Sequence, residues 1–284
     1  MIVPRRAVGP ADVAEHYDDL DWAYRSIWGS HVHHGLWLTG RESAEQAVCA
    51  LVDRVADAAG IGRGDAVCDI GCGYGETARH LRHTRGAHVT GITLSARQQL
   101  EAVRLGGGLD GVIVLLGDWL GDNGLPSAGF DEAIAIESTE HMTDKQRCFA
   151  EVRRVLRPGG RFAVAAWLAA ERPRAWEVQH LLEPICAEGR LPGMGTAADY
   201  RRLLEAAGLA VREEQDLTQS VKRTWSICIR RTCARFFRDH QLRAYLLAPA
   251  GRSRHRDFVS ALFRIRLAYE TGAMRYGLFS AVRR

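Results

Sequence analysis

The chain contains no apolar run approaching the ~20 residues that span a bilayer, and its start, with Pro4, Arg5 and Arg6, leads into no long apolar stretch of the kind a secretory signal needs. A soluble, cytoplasmic protein is the expectation. No Cys-x-x-Cys pair occurs, and the seven cysteines are odd in number and irregular in spacing, which argues against a disulfide framework or a zinc site. Reduced thiols and no bound metal are expected. Charge of neither sign dominates: 38 Lys and Arg against 34 Asp and Glu leave +4, which decides nothing about nucleic acid by itself. At 284 residues, 46% hydrophobic and 25% charged, the composition is globular and the length allows one large domain with insertions.

Two further absences bear on function. Val67 to Glu76 reads as a short apolar strand, an acid, a glycine turn and a helix start. A dinucleotide turn carries G-x-G-x-x-G, but here Gly71, Gly73 and Gly75 alternate and Glu76 stands where the third glycine would be. Asp69, directly before them, would repel a pyrophosphate, yet it suits the amino group of an amino-acid-bearing cofactor. S-adenosylmethionine carries both an ammonium and a carboxylate, so an acid beside free amides and a helix N-terminus favours it over NAD or FAD. The second absence is an acid to hold ribose hydroxyls: none lies between Glu76 and Glu101. The strand from Ala87 to Thr93 instead runs toward Ser95, which caps the next helix, with Thr93 and Gln98 as neutral hydrogen-bonding groups. A third strand, Val112 to Leu116, ends at Asp118 and Trp119, suited to an adenine amino group and ring face; a capped turn with a buried indole is the alternative. Cys72 reads as a small residue tolerated in the turn rather than as a nucleophile.

Along the chain, Ala11 to Trp28 is an amphipathic helix with Val13, Tyr17, Leu20, Tyr24 and Ile27 on one face. The following loop packs His31, His33 and His34 between Trp28 and Trp37, as a pocket lining or a metal-free surface loop. Ser43 to Gln46 forms a capping box, and Gly60 ends that helix. The fourth strand, Phe130 to Ile136, is apolar throughout, so Glu137, Glu140 and His141 emerge at its carboxyl end, where open α/β sheets bind ligands. They are candidates for the base of a proton-removing reaction; Glu140 and His141 alternatively begin the next helix. Thr143 to Gln146 reads as a capping box, and Pro158-Gly159-Gly160 as a turn into a fifth strand, Arg161 to Trp167. A helical insertion follows from Ala169, containing Trp176, then a sixth strand at Leu209 to Leu217. The stretch from Lys222 holds about fifteen basic residues against three acids. Phe258, Leu262, Ile265 and Tyr269 recur there at helical spacing with Arg256, Arg264 and Arg266 off the stripe, which reads as a solvated helix face. A final strand is expected at Tyr276 to Val282.

The order DIGCGYG, GITLSxxQ, GDW, IESTEHM and LRPGG, with HHG upstream, resembles the class I S-adenosylmethionine-dependent methyltransferases. Within them it is similar to the group containing tocopherol methyltransferases, cyclopropane fatty acid and mycolic acid synthases and bacterial natural-product methyltransferases. The resemblance spans about Tyr17 to Arg161. It implies one α/β domain with a seven-stranded, mostly parallel, Rossmann-like sheet and helices on both faces. Residues 1–42 would form an N-terminal helical lid, 43–168 the cofactor-binding core, and 169–284 a substrate-cap insertion with the end of the sheet. It also implies Asp69, Gly71, Gly73 and Gly75 around the methionine end of the cofactor, Thr93 and Gln98 by its ribose, and Asp118 and Trp119 by its adenine. The implied acceptor is a small hydrophobic secondary metabolite, phenolic or prenylated, walled by Tyr17, Tyr24, Trp28, His33, His34, Trp37 and Trp176. Glu137, Glu140 or His141 would take its proton, and methylation at carbon is preferred to oxygen or nitrogen. Methylation or cyclopropanation of a prenyl diphosphate or lipid alkene is an alternative. Outside the class, a nicotinamide-dependent oxidoreductase and a non-catalytic binding protein are the rivals. No aromatic-interleaved basic platform and no Asn/Asp-Pro-Pro-aromatic run points to nucleic acid, and a homo-oligomer stays open.

Overall fold

The computed structural model describes residues 1–4, 7–29, 31–240, 243 and 254–284, and for residues 20, 22–26 and 254–259 the backbone alone. Two helices precede the sheet, α1 (Pro10–Ile27) and α2 (Ala44–Ala59). The start of α2 is fixed as its sequence demands: Ser43 accepts from the Gln46 amide and Gln46 reciprocates, while Gly60, at φ 68°, closes the last turn. The chain then alternates through β1 (Ala66–Ile70), α3 (Glu76–Arg85), β2 (His88–Thr93), α4 (Ala96–Gly106), β3 (Val112–Leu116) and β4 (Phe130–Ile136). A 3-10 turn at Thr139–His141 leads to α5 (Lys145–Val155) and β5 (Leu156–Ala169). Next comes α6 (Ala175–Glu177), which continues through a π-helical turn at Val178–Leu182 into α7 (Glu183–Glu188), then α8 (Ala197–Ala206) and β6 (Leu209–Asp216). The chain closes with α9 (Thr218–Val221), α10 (Arg223–Arg238), α11 (Arg254–Thr271) and β7 (Met274–Arg283).

The seven strands form one sheet in the order β3-β2-β1-β4-β5-β7-β6, parallel except for β7, which runs antiparallel between β5 and β6. Connections after β1 and β4 leave toward opposite sides, so a crevice opens beyond their carboxyl ends. Asp69 sits there in register with Gly91 of β2 and Ile134 of β4. Alternation along the central strands sorts their side chains between two cores. Val67, Ile134 and Ile136 pack with Leu51 and Val55 of α2, whereas Cys68, Ile70, Ala133 and Ala135 pack with Phe149 and Val152 of α5 on the other face. Burial of each large side chain stabilises by roughly 1.5–3 kcal/mol.

Three elements differ from the sequence expectation. β5 begins at Leu156 rather than Arg161, because Pro158-Gly159-Gly160 forms an irregularity inside the strand: Phe130 pairs with Leu156 and Glu132 with Arg161, with a register shift between. α5 is capped by Asp144, which accepts from the Arg147 amide, so Thr143 makes no capping box. On α11, Leu262, Ile265 and Tyr269 are buried as expected, but Arg264 is not simply solvated, since it pairs with Glu188; the side chains of Phe258 and Arg256 lie outside the described residues.

Candidate active site

The glycine turn is built by steric necessity as much as by ligand approach. Gly71, Gly73 and Gly75 adopt φ of 76°, 53° and 71°, and a Cβ on Gly71 would lie 2.4 Å from Cβ of Ser138, whose hydroxyl donates to the Ile70 carbonyl. The amides of Gly71 and Cys72 donate to the Ile92 carbonyl and that of Gly75 to Cys72. That of Gly73 is left for a ligand. Beside them Asp69 is buried, and its Oδ2 has no hydrogen-bond partner. Desolvation lifts its carboxyl to about 7. The same burial raises the Cys72 thiol well above its ordinary range, so that thiol is no nucleophile.

A cavity of about 50 Å³ at this turn is walled by Asp69, Gly73, Tyr74, His31 and His33. It adjoins one of about 100 Å³ walled by Thr93, Ser95, Gln98 and Trp119, with Gly71 and Gly73 common to both. Thr93 Oγ1 donates to Gln98 Oε1 at 2.8 Å, which leaves the amide nitrogen of Gln98 unspent. Trp119 is fixed by its indole N–H on the Cys148 carbonyl.

At the end of β4, Glu137 turns into the left-handed region, φ 52°. Its carboxylate accepts from the amide and Nδ1 of His34 (2.7 and 2.9 Å), from the Tyr276 hydroxyl (2.8 Å) and from the Trp167 indole (2.7 Å). The Trp225 indole N–H points at His34 Nε2 from 2.6 Å; an indole only donates, so the His34 proton is on Nδ1, facing Glu137. Burial pushes the Glu137 carboxyl up, but His34 and the other donors outweigh it and hold it to about 2. Glu140 is placed differently: it accepts from the Trp167 amide, and desolvation raises it to about 7.

His141 faces the Arg190 carbonyl through Nδ1 (3.2 Å) and the Tyr17 hydroxyl through Nε2 (2.9 Å). Because the carbonyl can only accept, Nδ1 carries the proton and Nε2 the lone pair. Desolvation lowers its pKa to about 4 and so keeps the ring neutral. A cavity of about 590 Å³ opens on this histidine, walled by Trp28, Trp167, Trp225, Ile185 and Leu262. Tyr17, Val32, Glu137 and His141 line both this cavity and the one beside Gln98.

A family model described as mycolic acid cyclopropane synthetase matches residues 6–241. The chain belongs to that family. It is 31% identical over 225 residues to 27-O-demethylrifamycin SV methyltransferase of Amycolatopsis mediterranei, covering 76% of this chain and 80% of that one. To the chloroplastic tocopherol O-methyltransferase of Arabidopsis thaliana it is 30% identical over 239 residues, 77% of this chain and 68% of the other. The cyclopropane synthase MmaA2 of Mycobacterium tuberculosis shares the fold, with a TM-score of 0.84 over 98% of this chain and 100% of that one at 20% identity. This member of the mycolic acid cyclopropane synthetase family is an S-adenosylmethionine-dependent methyltransferase of small molecules. The donor's ammonium fits the site: it is the kind of group that the partnerless Asp69 oxygen lacks.

In this family member, Asp69, Gly71, Gly73, Thr93, Gln98 and Trp119 line the two small cavities. Gly75 and Asp118 do not. Gly75 is the N-cap of α3, and Asp118 Oδ1 accepts from the Leu120 amide, as in the capped-turn alternative. Glu137, Glu140 and His141 come together at the large cavity with Tyr17 and Trp28; Glu140 and His141 stand in the 3-10 turn, not in the next helix. The histidine loop is no surface loop, since His31, His33 and His34 are all buried. His33 lies on the Asp69 cavity and not on the large one. His34 is enclosed by Glu137 and Trp225. Trp37 is buried with its N–H on Thr224 and Arg223 over its ring, and Trp176 is 41% exposed beneath Arg174; neither borders the large cavity. The Tyr24 side chain lies outside the described residues. Sequence reasoning missed Trp167, Trp225, Tyr276 and Arg190. Trp167 had a signal, an aromatic at the end of an apolar strand; the others depend on packing of distant segments. Among the described residues no group of three or more His, Cys, Asp or Glu could hold a metal ion, and no helix is long and apolar enough to cross a membrane.

Proposed function

We propose that the chain methylates a hydroxyl oxygen of a hydrophobic, aromatic small molecule, with His141 taking the hydroxyl proton. The observation that carries this is the neutral imidazole of His141, whose lone pair stands on the wall common to both cavities and already receives one phenol, that of Tyr17. An acceptor hydroxyl arriving at the same nitrogen would be held as Tyr17 is. As the oxygen gains its methyl, the O–H bond breaks toward Nε2, and the imidazolium so formed keeps its Nδ1–H on the Arg190 carbonyl. S-adenosylmethionine, when bound, supplies the electrophilic methyl group. Asp69 and the amide of Gly73 would hold its amino-acid end, Gln98 its ribose and Trp119 its adenine. Glu137, with four donors on its carboxylate, orders the loop rather than moving a proton.

Trp28, Trp167 and Trp225 give the acceptor an aromatic wall; the indole N–H groups of Trp167 and Trp225 are spent on Glu137 and His34. Two relatives named for transfer to oxygen support oxygen over the carbon chemistry expected from sequence. Helix α1 acts as the lid: beyond Tyr17, its Asp18 accepts from Ser95 and its Asp21 from Tyr74. The test is incubation with methyl-labelled donor and a panel of hydrophobic phenols and their O-blocked counterparts, with the labelled position located by NMR. Label on oxygen of the free phenols alone is expected. Label on a ring carbon, or turnover of the blocked compounds, would sink the proposal.

A further inference from the structure

The histidine loop holds a feature that neither the acceptor nor the glycine motif accounts for. His33 Nδ1 lies 2.8 Å from the His34 carbonyl, which only accepts, so the proton is on Nδ1 and Nε2 of the ring bears the lone pair. His31 Nδ1 lies 3.2 Å from that Nε2 and must therefore bring its own proton. Burial lowers both rings, His31 to about 3, so both are neutral and the relay has one direction. It ends by making His31 Nε2 a hydrogen-bond acceptor, and no described group donates to it.

His31 lines the cavity of about 50 Å³ that also holds the partnerless Oδ2 of Asp69. Two unspent acceptors thus share one buried corner, beside the unspent amide of Gly73. A ligand that satisfies the acceptors and the amide together carries several N–H donors next to a carboxylate, which describes the amino-acid end of the methyl donor. We propose that His31 is a cofactor ligand that accepts from the donor's ammonium alongside Asp69, its tautomer set by the relay through His33 to the His34 carbonyl. Asp69 supplies the charge and His31 the direction of a second N–H. The role rests on the cofactor, whatever the acceptor.

Calorimetric titration of the full chain tests it with two ligands, S-adenosylhomocysteine and 5′-methylthioadenosine, which shares the adenosine and sulfur but lacks the amino-acid end. His31→Phe is expected to weaken S-adenosylhomocysteine by about tenfold or more, as loss of a hydrogen bond to a charged group should, and to leave methylthioadenosine unchanged. His31→Gln, whose side-chain carbonyl still accepts, regains part of the loss. Unchanged binding of S-adenosylhomocysteine, or an equal loss for both ligands, overturns the proposal. Failure of the wild-type protein to bind S-adenosylhomocysteine overturns the cofactor assignment as well. If His31→Phe does not fold, long-range proton–nitrogen NMR of the wild-type imidazoles decides: S-adenosylhomocysteine should shift an unprotonated Nε2 resonance that methylthioadenosine leaves in place, and no such shift refutes the role.

Discussion

The hydroxyl of Tyr17, on the first helix, lies 2.9 Å from Nε2 of His141, 124 residues further along the chain. If His141 is the base, an acceptor hydroxyl must displace this phenol, and the two residues should separate kinetically. His141→Ala is expected to lower kcat by ~10²–10⁴-fold while S-adenosylhomocysteine still binds. Tyr17→Phe removes the competitor for the lone pair, so kcat should be retained and the acceptor KM should fall. A collapse of kcat in Tyr17→Phe equal to that in His141→Ala would make the phenol part of the proton path instead.

Glu137 offers the opposite case, a carboxylate whose capacity is consumed. Replacing it by Gln leaves one acceptor oxygen for four donors and turns an amide N–H₂ toward N–H groups that only donate, the Tyr276 hydroxyl alone being able to accept instead. Glu137→Gln should lower stability by about 2–4 kcal/mol, as expected when one partner of a buried charged network is lost; Tyr276→Phe should cost about 1 kcal/mol. Urea unfolding measures both. A Glu137→Gln protein of wild-type stability that loses turnover would make Glu137 the base.

Asp69 predicts a pH dependence of cofactor binding. Its folded, ligand-free carboxyl is raised to about 7 by desolvation, so below that pH it carries a proton that must leave before it can pair with an ammonium. Affinity for S-adenosylhomocysteine should therefore rise as pH rises toward 7 and level off above it, until the ligand's own amino group, near pKa ~8, deprotonates and affinity falls. Titrations in buffers of different ionisation heat should show proton release at pH 6. Asp69→Asn should abolish that release, and a wild-type affinity that is flat from pH 5.5 to 7.5 would contradict the mechanism.

Much of the lining of the two small cavities was legible because its residues lie at or beside the ends of apolar strands: Asp69 is the last residue but one of β1, Thr93 closes β2 and Glu137 follows β4. Helix α2 was legible at both ends because Ser43, Gln46 and Gly60 act locally. The acceptor half was not. Trp225 reaches His34 across 191 residues of sequence and Arg190 reaches His141 across 49, contacts that no local period encodes. The histidine loop shows the limit most clearly. Three like residues within four positions share a composition, yet one anchors Glu137, one relays and one faces Asp69, a division made by their tertiary partners. The start of β5 was hidden for another reason: Pro158-Gly159-Gly160 punctuates like a turn, while the strand absorbs it as an irregularity.

Gly91, in the middle of β2, looks like a weakness in a buried strand. A Cβ there would lie 2.6 Å from the Cys72 sulfur and 2.7 Å from the Cys72 Cβ, so the glycine makes room for the cofactor turn to lie against the strand. Gly91→Ala should lower stability by about 1–3 kcal/mol through overpacking and, by pushing the turn outward, weaken S-adenosylhomocysteine as well. Cys72→Gly removes both clashing atoms at the cost of a more flexible turn. The double variant should then be more stable than the sum of the single effects predicts, a coupling that a double-mutant cycle measures. Strict additivity would mean that Gly91 serves the strand alone and that the turn does not depend on it.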